Sequence, residues 1–350
     1  MNISMPMSVH GAVVLVAALC LSQPGAAQSS APSPSEKRPI AVSGSEAPTL
    51  SAVEWLQRMH SASRQRSYAG TFVVSAAGGN LSSARIWHVC EGDLQLERVE
   101  VLSGPPRSTF RRNDHVVTFL PETKIVKSEK RENLELFPNL LGAPDSAIGS
   151  YYGARVVGRD RVAGFDADVV ELEPRDGLRF GYRLWSERRS GLVMKLQTLD
   201  GENRVIEQSA FSELQFVAPI KAQALAQMMG STAGYKIEKS ELERTSPAKE
   251  GWSLRAPVAG FKPVSCYKRE MGGAVGTEQG HTMQWIFSDG LATVSLFVEP
   301  YDARRQPKEV LLSLGATYTL TRKLADKDKP LSVLFRRGEW AQYALIRPQR

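Results

Sequence analysis

Residues 151–211 constrain the fold more than any other part of the chain. Short apolar and charged positions alternate through them, and the alternation is broken by Ala163-Gly164, Asp176-Gly177, Ser190-Gly191 and Asp200-Gly201. A period of two puts successive side chains on opposite faces of a strand. A Gly-containing pair supplies the left-handed backbone that a tight reversal demands. The stretch therefore predicts successive antiparallel hairpins. It contains no catalytic or cofactor motif, and a sheet of this size serves to present or enclose a surface, so the expected function is binding.

More strands precede it. Residues 68–76, 84–90, 94–102, 108–112 and 115–120 read as strands, with turns at Gly78-Gly79-Asn80 and Glu91-Gly92-Asp93. Leu94 and Leu96 alternate with Gln95 and Glu97, which gives that strand one wet face, whereas residues 68–74 are apolar on both faces. Apolar residues on a sheet face not covered by its own helix either pack another layer or line a cavity. Phe72, Val74 and Trp87 are the sheet residues placed to line one. Residues 132–141 (ENLELFPNLL) add Leu134, Leu136, Phe137, Leu140 and Leu141 around Pro138. Two readings stand for that segment: a helix plugging one end of the barrel, or an apolar flap over a ligand cavity.

Ahead of the strands, Leu50, Val53, Leu56 and Met59, with Trp55 and Ala62, lie on one side of a helix reaching about Arg66. Ser51 and Glu54 stand in capping-box positions at its start. Beyond the hairpins, residues 219–229 read as a connecting helix and 230–250 as a polar linker. A smaller second domain begins near Gly251-Trp252. Its expected strands are 264–269, 282–287, 292–298, 318–321 and 331–335, with a helix at 306–314 and a hairpin turn at Ser288-Asp289-Gly290.

The N-terminus reads as an export signal. Residues 12–21 (AVVLVAALCL) are an apolar run of ten, half of the roughly 20 residues that span a bilayer, and Gly25-Ala26-Ala27 offers a small-residue cleavage site. Residues 28–49, rich in Ser, Ala and Pro, read as a disordered tether. The scheme is thus a signal peptide at 1–27, a tether at 28–49, a half-barrel domain at 50–217, a connector at 218–250 and a second domain at 251–350, in an exported, oxidising space. There Cys90 and Cys266 form either one bridge or two isolated buried thiols; neither has the spacing for disulfide exchange or structural zinc.

A net charge of +7 favours acidic partners. The arginines are spread through strands rather than massed in an arm, which argues against nucleic acid. Arg107, Arg111 and Arg112 form the densest basic strand, and Arg155, Arg159 and Arg161 alternate on another. Each set is either an anion-binding edge, through guanidinium contacts to carboxylate or phosphate, or a solvated edge that blocks aggregation. Asp166 and Asp168 share a strand face and read as a solvated strand start rather than an acid–base pair. No G-x-S-x-G, H-E-x-x-H, P-loop or dinucleotide fingerprint occurs. The reading is a non-enzymatic protein that needs no cofactor or metal.

The blocks Trp55-Leu56-x-x-Met59, Tyr68-x-Gly70-Thr71-Phe72, Ala84-Arg85-x-x-His88 and Gly104-Pro105-Pro106-Arg107 resemble the MucB/RseB family. So do Gly158-Arg159-x-Arg161-x-Ala163-Gly164 and Arg175-Asp176-Gly177-x-Arg179-x-x-Tyr182-x-x-Trp185. The resemblance continues through Trp252, Pro257-x-x-Gly260-Phe261 and Ser288-Asp289-Gly290-Leu291. It implies an α+β fold. A large N-terminal, lipoprotein-carrier-like domain carries a curved antiparallel half-barrel sheet with helices in its concavity, and a smaller α/β domain follows. It implies a periplasmic regulator of the envelope-stress sigma factor, which binds the periplasmic segment of a membrane-spanning anti-sigma factor and shields it from regulated proteolysis. It also implies release by a lipid or lipopolysaccharide amphiphile. On these terms the arginines Arg107, Arg111, Arg112, Arg159 and Arg161 would meet lipid phosphates or acidic residues of the partner. The alternative use of the same cavity is a periplasmic lipid or lipoprotein carrier, and a homo-oligomer stays open. Residues 336–350 depart from the family's closing strand and helix.

Overall fold

The computed structural model describes residues 50–130, 146–240, 242–270, 281–299, 310–321, 331–337 and 340–348. The export signal, the tether and the apolar segment with Leu134, Leu136, Phe137, Leu140 and Leu141 lie outside the described residues.

Helix α1 (Ala52–Gln65) opens with the expected capping box. Ser51 Oγ accepts from the Glu54 amide at 3.3 Å, and the Glu54 carboxylate accepts from the Ser51 amide at 2.7 Å. Two of the four amides a helix start leaves unpaired are thereby satisfied. Its apolar stripe, Trp55, Leu56, Met59 and Ala62, is buried.

The next eleven strands are β1 (Tyr68–Ala76), β2 (Leu81–Glu91), β3 (Leu94–Val101), β4 (Ser108–Arg112), β5 (His115–Leu120), β6 (Ile125–Lys130), β7 (Tyr152–Val162), β8 (Phe165–Pro174), β9 (Gly181–Glu187), β10 (Val193–Leu199) and β11 (Val205–Gln215). Neighbours in sequence pair as antiparallel hairpins from β1 to β6 and again from β7 to β11. The two runs are joined by β1 against β11. At the β7–β8 turn both Ala163 (φ 49) and Gly164 (φ 87) are left-handed, the geometry whose twist matches that of the flanking strands. The sheet curls: β7 touches β11 although three strands lie between them in the order, and the Phe165 ring meets Phe216 edge-on at 4.9 Å.

The main core lies between α1 and one face of this sheet. Leu56, Met59 and Trp55 share it with Phe72, Ile86, Tyr152, Leu172, Leu184 and Phe211. Fully burying each such side chain is worth about 1.5–3 kcal/mol. Gly70 is required here, because a Cβ would lie 2.8 Å from the Phe211 ring and collide with the Glu213 carbonyl oxygen. The opposite face is covered by α2 (Ala222–Gly230), whose Leu225 packs on Val89 and Leu96 and whose Met229 packs among Phe110, Val117, Phe119 and Val126.

Residues 230–250, read from composition as a linker, contain two strands. β12 (Lys236–Ser240) runs parallel to β6 and extends the sheet to twelve strands, with Tyr235 packed edge-on against Phe119 at 5.4 Å. An edge strand keeps one side in water, so its sequence is polar enough to pass for a linker. β13 (Glu243–Arg244) already belongs to the next sheet, pairing Glu243 with Lys268 and Arg244 with Tyr267.

The C-terminal part is β14 (Trp252–Ala256), β15 (Lys262–Glu270), β16 (His281–Ser288), β17 (Thr293–Val298), β18 (Val310–Leu314), β19 (Thr317–Thr321), β20 (Leu331–Arg337) and β21 (Trp340–Pro348). Val258, Phe261, Cys266, Met283, Trp285 and Phe287 form its core. The helix expected at 306–314 is corrected over 310–314, which is strand β18 paired with β19. A short apolar run such as Val-Leu-Leu-Ser-Leu carries no period that separates helix from strand, and the reversal at Gly315 (φ 58) settles it as a hairpin. Residues 340–348 do form a closing strand: β21 lies between β14 and β20.

Candidate functional site

The arginines singled out in the sequence divide by face. Arg111 and Arg112 are adjacent on β4 and so point to opposite sides of the sheet. Arg112 and Arg107 are exposed. Arg111 is buried and bonded to Glu97 on β3 at 3.1 Å, each side chain only 5% exposed. It is corrected from a partner contact to an internal ion pair, because the alternation that exposes Arg112 turns Arg111 inward.

The second set is corrected as well. A bulge between Val156 and Gly158 shifts the β7–β8 register, so Arg155 stands opposite Glu171 while Arg159 and Arg161 stand opposite Asp168 and Asp166. An extra residue in one strand moves every later side chain to the other face. Arg155 is therefore separated from the other two, and joins Arg183 and Glu173 around the Glu171 carboxylate.

Arg159 and Arg161 instead meet other cations. Arg159 lies 3.6 Å from Asp168, which it shares with Arg188 at 3.5 Å, and Arg161 lies 3.8 Å from Asp166. Arg188 and Arg189 sit in the β9–β10 turn, held to the β8 start by the Arg188 amide donating to the Asp166 carbonyl at 3.1 Å. From α1 the Arg58 guanidinium donates to the Arg188 carbonyl. Five arginines (Arg58, Arg159, Arg161, Arg188 and Arg189) thus gather at this end of the sheet, with Asp166 and Asp168 among them. Arg159 and Arg161 are each 72% exposed on this rim. Glu187 is spent locally, its carboxylate accepting from the Ser190 amide. The doublet Arg188-Arg189 before Ser190-Gly191 was visible in the sequence. Its convergence with α1 was not, because the two lie 130 residues apart.

Phe72, Val74 and Trp87 do not line one cavity. Phe72 pairs with Ala84 and Val74 with Ser82, whereas Trp87 pairs with Ala69, so Trp87 faces the other way. Phe72 is 6% exposed, in the core beneath α1, with Val74 packed against that core. Trp87 is held between guanidinium groups, Arg85 at 5.4 Å and Arg98 at 4.9 Å from its ring.

The polar groups inside the sheet are structural. His88 stacks on Tyr68 at 4.9 Å, and its Nδ1–H donates to the Arg66 carbonyl at 2.9 Å. Burial pushes its pKa below the ordinary imidazole value, with the Glu97 carboxylate pulling the other way and Arg111 adding to the depression. The unfolded chain takes up that proton near pH 6.5 and the folded protein only at lower pH. The unfolded state therefore binds more protons in between, so this contribution to stability is complete above about pH 6.5 and is lost as pH falls towards the folded value. We expect the urea midpoint to drop on acidification from about pH 7 to about pH 5. His88→Asn should flatten that slope; an unchanged slope would exclude His88 as its source. Cys90 and Cys266 are both free thiols, and burial pushes Cys90 up to about 11, far from a reactive thiolate. Among the described residues no group of three or more His, Cys, Asp and Glu could hold a metal ion. Asp166 and Asp168 serve as cross-strand partners of arginines.

Comparisons agree across both domains. Residues 51–229 match the model of the MucB/RseB N-terminal domain and residues 246–333 that of the MucB/RseB C-terminal domain. The "Sigma factor AlgU regulatory protein MucB" of Pseudomonas aeruginosa is 30% identical over 298 residues, covering 79% of this chain and 83% of that protein. The "Sigma-E factor regulatory protein RseB" of Haemophilus influenzae is 24% identical over 260 residues, covering 74% and 79%. Among solved structures, the Pseudomonas aeruginosa MucA/MucB complex contains a chain that superposes with a TM-score of 0.58 at 24% identity, over 85% of this chain and 99% of that one. With both domain models matched in order and the sheet architecture shared, this chain belongs to the MucB/RseB family.

Proposed function

We propose that this protein is a periplasmic, non-enzymatic regulator of an envelope-stress sigma factor. It binds the periplasmic segment of a membrane-spanning anti-sigma factor and shields it from regulated proteolysis. Family membership over both domains carries the reading. A MucB chain of the same architecture has been crystallised "in complex with MucA(peri)", and the AlgU regulatory relative is 30% identical. The export signal in the sequence supports the compartment.

The cationic rim of Arg58, Arg159, Arg161, Arg188 and Arg189 is the surface we assign to acidic residues of the partner. Complementary charge of this kind steers encounter and fixes register more than it adds affinity. The test is titration of the mature protein with the partner's periplasmic segment. Reversing Arg159, Arg161 and Arg188 to glutamate should weaken binding about tenfold, the effect of about 1.4 kcal/mol, through like-charge repulsion. Unchanged binding would remove the rim from the interface.

Release by a lipid or lipopolysaccharide amphiphile is the further part of the proposal. Phe72 and Val74 belong to the core that α1 caps, so an acyl chain reaching them competes with α1 for the same face. An amphiphile can shift the partner-binding state only by its differential affinity for the two arrangements.

A further inference from the structure

Three consecutive residues between β8 and β9 reach into the C-terminal part of the protein. Leu178 packs against the core of Val258, Phe261, Met283 and Trp285. Arg179 is fully buried: its Nε donates to the Asp289 carboxylate at 2.9 Å, its other nitrogens reach the Asp176 carboxylate and the Ala259 carbonyl, and its guanidinium lies 4.2 Å from the Tyr151 ring and 5.1 Å from Phe261. Phe180 stacks on Tyr318 of the β18–β19 hairpin at 6.2 Å. The exchange runs in both directions. Leu291, just after the Ser288-Asp289-Gly290 turn, packs against the large domain's core, and the Ala316 amide donates to the Glu207 carboxylate of β11 at 3.1 Å.

We infer that residues 175–180 form a charge-locked joint which holds the two domains in one register and whose opening is the movement built into this fold. The argument rests on how the two kinds of contact behave. Leu178 and Leu291 supply adhesion, but apolar surfaces slide and tolerate several orientations. The guanidinium has five donors in a fixed plane, so it satisfies Asp289, Asp176 and the Ala259 carbonyl together in one arrangement only. Asp289 is itself fixed within its turn: its Oδ1 accepts from the Leu291 amide at 2.9 Å and the Ala292 amide at 2.7 Å, while its Oδ2 accepts from Arg179 and, at 3.5 Å, from the Tyr152 hydroxyl. Both charged side chains are 0% exposed. Separation of the domains returns them to water, which offsets much of what is lost, whereas parting an all-apolar joint regains no such hydration. The joint is therefore specific when closed and separable when a ligand favours the open form.

The test uses the full mature chain and small-angle scattering, with near-ultraviolet circular dichroism to confirm that each domain stays folded. Arg179→Met keeps the apolar stem but removes the counter-ion of the buried Asp289 carboxylate, which opening returns to water. The expected result is a larger radius of gyration than wild type. Adding Asp289→Asn, which preserves the acceptor for the two turn amides and removes the charge, should return the radius to the wild-type value. An unchanged radius in Arg179→Met, or an Asp289→Asn addition that restores nothing, would overturn the inference. Should Arg179→Met fail to fold, Arg179→Lys keeps the charge without the fork. It should shift the radius in the same direction, and a wild-type radius there would likewise overturn it. The measurement involves no partner, so its outcome is independent of the anti-sigma-factor reading.

Discussion

Arg111→Met is expected to destabilise the protein by about 3–5 kcal/mol, because it leaves the Glu97 carboxylate buried without its counter-ion. Both side chains are 5% exposed, and Glu97 sits on the same sheet face as His88, its cross-strand neighbour. Nothing in that face offers a second cation at bonding distance among the described residues: His88 is held neutral by burial, and Tyr68 lies beyond it with a hydroxyl whose pKa burial pushes far up. The carboxylate must therefore take up a proton or draw water into the core, and either route costs free energy. The complementary prediction separates this from lost packing. Changing Glu97 to Met in the same chain removes the orphaned charge and should recover most of the loss, since an apolar pair of similar volume is often as stable as a buried ion pair. Urea unfolding with an unchanged m-value reads both effects. A single variant that loses less than about 1 kcal/mol would mean that the pair is screened in the way a surface pair is.

Gly260→Ala should have the second large effect, and it acts at the joint. Gly260 has φ +83, a left-handed conformation that costs a residue with a Cβ about 1–2 kcal/mol. The added methyl would also lie 2.6 and 2.7 Å from Tyr151 ring atoms and would collide with the Arg179 guanidinium. Of these neighbours the guanidinium is the one free to give way, and if it moves it loses Asp289. The variant should therefore lose about 2 kcal/mol or more in thermal or urea unfolding, and should show the enlarged radius expected of Arg179→Met. Gly164→Ala is the control. It too is left-handed (φ +87), but a Cβ there meets nothing within 4 Å, so only the backbone cost applies. Equal losses at the two sites would show that Gly260 matters only for its dihedral angle.

The hairpins were legible because their signals are local. Ala163-Gly164 and Ser190-Gly191 supply positive φ where the chain must reverse, and the alternation either side supplies the face. Pairing of β1 with β11 was not legible, because nothing near Tyr68 in sequence specifies a partner at Gln215. The Val156/Gly158 bulge was hidden for a different reason. One inserted residue leaves Arg155, Arg159 and Arg161 at alternate positions of one face on paper while sending Arg155 to the other face. Arg111 was within reach of the pattern alone, since adjacent arginines on one strand cannot both be wet when one face is core. The joint was half visible. Arg179, Gly260 and Asp289 each stood in a block that carried the family resemblance, yet Arg179 and Asp289 are 110 residues apart and only the folded chain brings them together.

The most direct check is calorimetric titration of the purified protein with the periplasmic segment of its cognate anti-sigma factor, repeated across a salt series. The account predicts a saturable heat with one segment bound per protein, weakening as ionic strength rises because an exposed cationic rim takes part. Absence of any saturable heat at low salt, from protein shown to be folded, would contradict it.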